Sequence, residues 1–234
     1  MYPKGILFDL DDTILSYSSV AEPTWQAVCR EFAVRYDLGK ADTLFPAIME
    51  VSSWYWSDAN RHKNGRNDLN NARRFIVSLA LEKFNIDKTI ARQMADAFSE
   101  QREEAVTMFD QAKETLEFLR RQGISMALMT NGESHKQRHK IQRFDLEKYF
   151  QPILIEGEMG FGKPEAAVYR RALAELGLPP EAVWAVGDNL ECDVGGPQKL
   201  GIHGIWNDYD QQGLPPSSEI IPDRIIHSIA ELIL

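Results

Sequence analysis

Cysteine is scarce in this chain: 234 residues contain only Cys29 and Cys192. They stand far apart and in no metal-ligand spacing. One disulfide is possible on count alone, but the pair reads better as two buried free thiols in a reducing compartment. No apolar run approaches the ~18 residues that a membrane-spanning helix needs. The first residues, MYPKGILFDLDDT, reach acidic side chains too soon for the apolar stretch of a signal peptide. A cytoplasmic protein is therefore expected. Runs of Lys and Arg are missing too, as are internal repeats and low-complexity tracts. With 26 basic against 35 acidic residues the net charge is −9, a surface that repels nucleic-acid backbones and anionic lipids. A nucleic-acid polymer or a membrane is thus an unexpected partner. A small anionic substrate would need a local positive site built from a metal ion, a lysine or aimed backbone amides.

What remains is the composition of a folded globular protein, 44% hydrophobic and 26% charged. Its length suits one large domain, or a core carrying a smaller insert. Short apolar runs at 5–8, 124–129, 153–155, 183–186 and 202–206 read as buried strands. Helix-period stretches at 112–122, 135–143, 166–176 and 196–200 alternate with them, and Gly123 and Gly177 fall where C-terminal caps belong. This alternation predicts an α/β fold with a mostly parallel sheet. Between about Ser18 and Glu104 no strand is evident, only amphipathic helical stretches such as 24–36, 70–84 and 90–102. Such a segment reads as an inserted all-helical bundle. Pro23 and the stretch Asn64-Gly65-Arg66-Asn67 mark expected turns. A loop near Gly213 is expected to lead to a last strand at Ile225-Ile226 and a short terminal helix.

The chemistry begins with Asp9-Leu10-Asp11-Asp12-Thr13, directly after the first apolar run. In open parallel sheets, ligands bind beyond the carboxyl ends of the strands. Carboxylates crowded there repel one another, a cost that a hard cation such as Mg²⁺ removes. The bland alternative is capping of a helix N-terminus. Three further strand ends carry Thr130-Asn131-Gly132, then Gly162-Lys163-Pro164, then Gly187-Asp188 with Asp193 beyond it. Taken singly, each is also an ordinary turn or a solvated lysine. Together they supply acid, hydroxyl and amide, ammonium and acid, which is what holding Mg²⁺ and a phosphoryl group under carboxylate attack requires.

The ordered set DxDxT, Thr-Asn-Gly, Gly-Lys-Pro and GDxxxxD resembles the haloacid dehalogenase-like (HAD) hydrolase superfamily. The helical insert lies where subfamily I members carry a cap, and Gln137-Arg138-His139-Lys140-Ile141 and Gly157-Glu158-Met159-Gly160 look like that subfamily. The resemblance implies a Rossmann-like three-layer α/β core at residues 1–17 and 105–234, with a cap at 18–104. It implies a magnesium-dependent phosphatase of small-molecule phosphate monoesters, a nucleotide or sugar phosphate among them. Asp9 would be the nucleophile forming an aspartyl-phosphate. Asp11 would act as acid and then base, its backbone carbonyl touching the metal. Thr130, Asn131 and Lys163 would hold the phosphoryl group. Asp9, Asp11 and Asp188 would bind Mg²⁺, with Asp193 in support. Asp11 favours phosphoryl transfer over dehalogenation, because carbon–halogen-cleaving members lack it. Asn189 departs from the serine of many relatives.

Specificity would come from the cap. Trp54, Tyr55 and Trp56, with Arg61, His62, Lys63 and Arg66, are substrate candidates, although aromatics so spaced more often form core. Two other readings keep the site's residues: a phosphomutase of the same family, and a phospho-accepting signalling or non-catalytic binding protein. The sequence leaves the oligomeric state open.

Overall fold

The computed structural model describes residues 2–38, 41–65 and 68–233. In chain order the elements are β1 (Gly5–Phe8), β2 (Leu15–Ser16), α1 (Ala21–Arg35), α2 (Ala41–Trp56), α3 (Ala59–Gly65), α4 (Leu69–Glu82) and α5 (Lys88–Ala105). Then follow β3 (Thr107–Met108), α6 (Ala112–Arg121), β4 (Ser125–Thr130), α7 (Ser134–Arg143), β5 (Ile153–Ile155), α8 (Glu156–Met159), α9 (Ala166–Leu176), β6 (Val183–Gly187), β7 (His203–Asn207) and β8 (Arg224–Ile226). The chain divides into two compact units, one of Met1–Ser16 with Thr107–Leu234 and one of Tyr17–Val106. Among the described residues, no helix is long and apolar enough to cross a membrane.

The first unit is α/β. Its sheet runs in the order β5-β4-β1-β6-β7-β8, with every neighbouring pair parallel. β1 is buried at all four positions, as a strand covered on both faces must be. From β1 the chain builds β4 and β5 on one side, then crosses to build β6, β7 and β8 on the other. The order reverses at β1, so the crevice beyond the carboxyl ends of β4, β1 and β6 is the topological switch point at which open α/β sheets bind ligands. Helix α9 is pinned by its sequence: Val168, Tyr169, Ala172 and Leu173 are buried on one stripe against Leu7, Ala127 and Ala185 of the sheet. Gly177 ends that helix in the left-handed region, φ +65°.

Three elements differ from expectation. The helix expected at 196–200 starts earlier, as a π-helical turn Leu190–Gly195 leading into Gly196–Gln198. The last strand begins at Arg224 and is followed by a 3₁₀ turn, Ile229–Leu232. β2 and β3 form a two-stranded antiparallel pair that no sequence period announces, since each contributes only two residues.

The second unit is helical. Val28, Phe32, Leu44, Ile48, Val77, Leu81, Met94 and Phe98 are among the residues of its core. Trp25 of α1 lies flat on Phe98 of α5, with centroids 3.7 Å apart. Asp68 and Asp87 cap α4 and α5 by accepting from Asn71 N and Thr89 N. Pro23 marks no turn: it stands in the first turn of α1, where a backbone N–H has no intrahelical acceptor to lose. Asn64 and Gly65 close α3, while Arg66, Asn67 and the Lys63 side chain lie outside the described residues. The aromatic candidates pack largely on one another. Tyr55 and Trp56 meet edge to face at 4.9 Å, and the Arg61 guanidinium lies 4.0 Å over the Trp54 ring.

Candidate active site

Asp9 directly follows β1, and its N–H donates to Val186 O of β6 at 2.9 Å. That bond orients the Asp9 backbone between the two central strands. The loop after it turns back sharply. Asp12 takes φ +60°, a left-handed conformation that Asp tolerates, and its N–H donates to Leu15 O at 2.6 Å. Asn207 Nδ2 at the end of β7 donates to Asp12 O at 3.1 Å, tying this loop to the sheet.

Lys163 is the hub. Its Nζ lies 2.5 Å from Asp9 Oδ1 and 2.7 Å from Asp193 Oδ1, in a buried environment. Asp188, one residue beyond β6, completes the group: Asp9, Asp188 and Asp193 each present a carboxylate oxygen within 4.8 Å of the others. Residues separated by up to 184 positions thus converge beside the end of β1. Two glycines permit the approach. A Cβ on Gly187 would collide with the Asp193 carboxylate, and one on Gly162 would sit 2.5 Å from Asn131 Oδ1.

Three carboxylates against one ammonium leave an excess of buried negative charge. Burial, countered by Lys163 and reinforced by Asp193 and Asp11, pushes the Asp9 carboxyl up to about 7. Asp188 is pushed up to about 9 by burial first, then by Asp9, Asp193 and Asp12. Burial works to lower the Lys163 ammonium, but Asp193 and Asp9 outweigh it and hold it above the ordinary lysine range. An all-oxygen donor set with uncompensated negative charge fits a hard divalent cation such as Mg²⁺.

The other sequence candidates fall around this group in distinct ways. Asn131 braces Lys163: its Nδ2 donates to Lys163 O at 2.7 Å, and its Oδ1 accepts from Lys163 N at 2.9 Å. Thr130 Oγ1 accepts from Gln137 Nε2 at 2.5 Å. The Asp11 carboxylate stands apart from the three-acid cluster. It accepts from Lys140 Nζ at 2.8 and 2.9 Å and from Gln137 Nε2 at 3.1 Å. Asn189 Oδ1 accepts from Glu191 N and Cys192 N, so its amide caps the turn that begins at Leu190. Cys192 is only partly buried, unlike the buried Cys29. Its thiol is pushed up to about 12 by burial and by Asp193, which makes it a poor nucleophile.

Gln137 and Lys140 are the site residues to which the sequence reading assigned no role. Each is 3% exposed on the otherwise polar helix α7. The available signal was their i, i+3 spacing, which sets both on one helical face.

The family model for haloacid dehalogenase-like hydrolases matches residues 3–201. The chain belongs to this family. Among its HAD relatives, the phosphoserine phosphatase of Thermus thermophilus is 30% identical, with 99% of this chain and 98% of that protein covered. The glyceraldehyde 3-phosphate phosphatase of Pyrococcus furiosus is 27% identical, covering 88% of this chain and 81% of that protein. The solved structure of the HAD-hydrolase YfnB of Bacillus subtilis, bound to magnesium, shares the fold with a TM-score of 0.72. It is 23% identical, with 99% of this chain and 97% of that chain covered. The family match together with these phosphatase relatives makes the HAD chain a phosphatase-type member, a phosphoric monoester hydrolase.

Proposed function

We propose that this chain is a magnesium-dependent phosphatase hydrolysing small-molecule phosphate monoesters, a nucleotide or sugar phosphate among them, through an aspartyl-phosphate on Asp9. The observation that carries the reading is the double ion pair of Lys163 with Asp9 and Asp193, beside Asp188. A carboxylate attacking a phosphate dianion meets strong repulsion, and positive charge aimed at that point is what allows it.

In the first displacement an Asp9 oxygen bonds to phosphorus as the bond to the ester oxygen breaks. Asp11 gives that departing oxygen its proton. In the second displacement Asp11 takes a proton from water, the water oxygen bonds to phosphorus, and the Asp9–phosphorus bond breaks. Inorganic phosphate leaves and Asp9 is restored. Lys163 neutralises Asp9 and the incoming phosphoryl group. Asn131 keeps Lys163 in place, and Thr130 offers its hydroxyl to a phosphoryl oxygen. Mg²⁺ would be held by Asp9, Asp188 and the Asp11 carbonyl with Asp193 beside them, and would supply positive charge against the phosphoryl oxygens. The YfnB structure, named as bound to magnesium, supports that choice of ion. We also place the protein in the cytoplasm, where its two free thiols would persist.

The test is Asp9→Asn with p-nitrophenyl phosphate: hydrolysis should vanish while the circular dichroism spectrum is unchanged. Chelation should stop wild-type turnover and added Mg²⁺ restore it. Full activity in the Asn variant, or turnover indifferent to chelator, would rule the reading out.

A further inference from the structure

Two adjacent arginines on α4 live in opposite circumstances. Arg74, the more exposed, forks onto Asp96 with bonds of 2.7 and 2.9 Å. Arg73 is only 7% exposed, yet its contacts are neutral. One terminal nitrogen donates to Ser99 Oγ at 3.0 Å and the other to Tyr17 Oη at 3.2 Å, and its Cζ lies 5.3 Å from the Phe98 ring centroid. Among the described residues no carboxylate pairs with it. A guanidinium taken out of water is normally matched by an anion, because uncompensated burial of charge costs several kcal/mol.

Arg73 lines a half-open cavity of about 350 Å³ whose lining residues all belong to the helical unit. Trp25, Ile48, Trp56 and Phe98 make much of its wall apolar, and Arg102 adds a second cation, stacked 3.7 Å over the Tyr17 ring. The one acid in the lining is Glu22, an exposed residue that accepts from Gln26 Nε2 at 3.0 Å. A charge on the rim with no claim on Arg73 leaves the buried guanidinium facing an apolar hollow.

We propose that this cavity binds a small organic carboxylate, its CO₂⁻ group on Arg73 and its apolar body against Trp56 and the Trp25–Phe98 stack. A carboxylate fits better than a phosphate. Two guanidinium hydrogens are already given to hydroxyls, so the remaining N–H groups suit a singly charged, two-oxygen group. The rim carboxylate of Glu22 also disfavours a dianion. A wall rich in aromatic and aliphatic side chains, with few converging polar groups, is the general form of a small-molecule pocket. Every residue it uses lies within Tyr17–Val106, so its test reads binding and not hydrolysis.

Calorimetric titration of the full chain with 3-phenylpropionate, with its neutral isostere 3-phenylpropanamide and with inorganic phosphate tests this. The acid should bind one saturable site about tenfold or more tightly than the amide, which cannot charge-pair with Arg73, and phosphate, which has no apolar body to lay on the wall, should not compete for it. The methyl resonance of Met49, which lines the cavity, should move as the acid saturates. Arg73→Gln should abolish the preference for acid over amide. Equal affinity for acid and amide, a Met49 signal that stays put, or one that inorganic phosphate moves as the acid does would overturn the proposal. So would an Arg73→Gln chain that folds and still prefers the acid. If that variant does not fold, the wild-type titrations and the Met49 signal decide alone.

Discussion

Lys140 places its Nζ 2.8 Å from one oxygen of Asp11 and 2.9 Å from the other, joining the face of α7 to the loop that follows β1. Gln137, one turn earlier on that face, donates to Asp11 Oδ2 and to Thr130 Oγ1. The proposed acid–base residue is thus held by two buried side chains, apart from the three acids gathered around Lys163.

Lys140→Met should leave the fold standing but lower kcat by about a hundredfold, the lower range for a misplaced acid–base group. Gln137→Leu should act in the same direction and less strongly, since it removes a neutral donor. Release of inorganic phosphate from p-nitrophenyl phosphate measures both. A kcat within twofold of wild type in Lys140→Met would show that the ion pair does not position Asp11.

The raised carboxyls predict how stability responds to pH. In the metal-free folded chain Asp9 keeps its proton up to about pH 7 and Asp188 up to about pH 9, whereas the ordinary aspartate value is 3.8. Over that window the folded chain binds more protons than the unfolded one, so stability falls as pH rises. The rise in Tm on adding Mg²⁺ should accordingly be larger near about pH 9 than near about pH 6, because the cation replaces those protons. Thermal melts with chelator and with Mg²⁺ at both pH values check this; a Tm gain independent of pH would contradict it.

Asp188→Asn removes a carboxyl whose ionised form is opposed by burial and by its acidic neighbours. In chelator at about pH 9 or above, the variant should melt higher than wild type, and added Mg²⁺ should raise its Tm far less. Hydrolysis should fall by at least about a hundredfold, the scale of losing one electrostatic contributor. Calorimetry with and without Mg²⁺ reads the stability part. A variant that melts lower in chelator would mean that Asp188 stabilises the empty cluster instead of straining it.

Gly187→Ala tests how tightly the cluster is packed. Its added methyl would meet the Asp193 carboxylate, which is already held by Lys163 Nζ and by Asn189 N at 3.1 Å. A loss of about 1–3 kcal/mol in stability is expected, as for other overpacked sites. Activity should fall with it as Lys163 shifts. An unchanged urea midpoint would reveal slack behind β6.

Sequence alone determined the alternation of buried strands and amphipathic helices, the helical insert, and the order of motifs at successive strand ends. These follow from local periodicity and from short residue strings, which need no knowledge of distant partners. The two-residue strands β2 and β3 lay below any period. Gln137 and Lys140 share one face of a polar helix, but nothing local says that the face is buried until the fold brings Asp11, well over a hundred residues earlier in the chain, against them. Likewise Asn131 spends its amide on the Lys163 backbone, and Arg73 is enclosed without a carboxylate while Arg74 beside it has one. Only tertiary structure decides such matters, because the free energy of a buried charge depends on which groups the packing places around it.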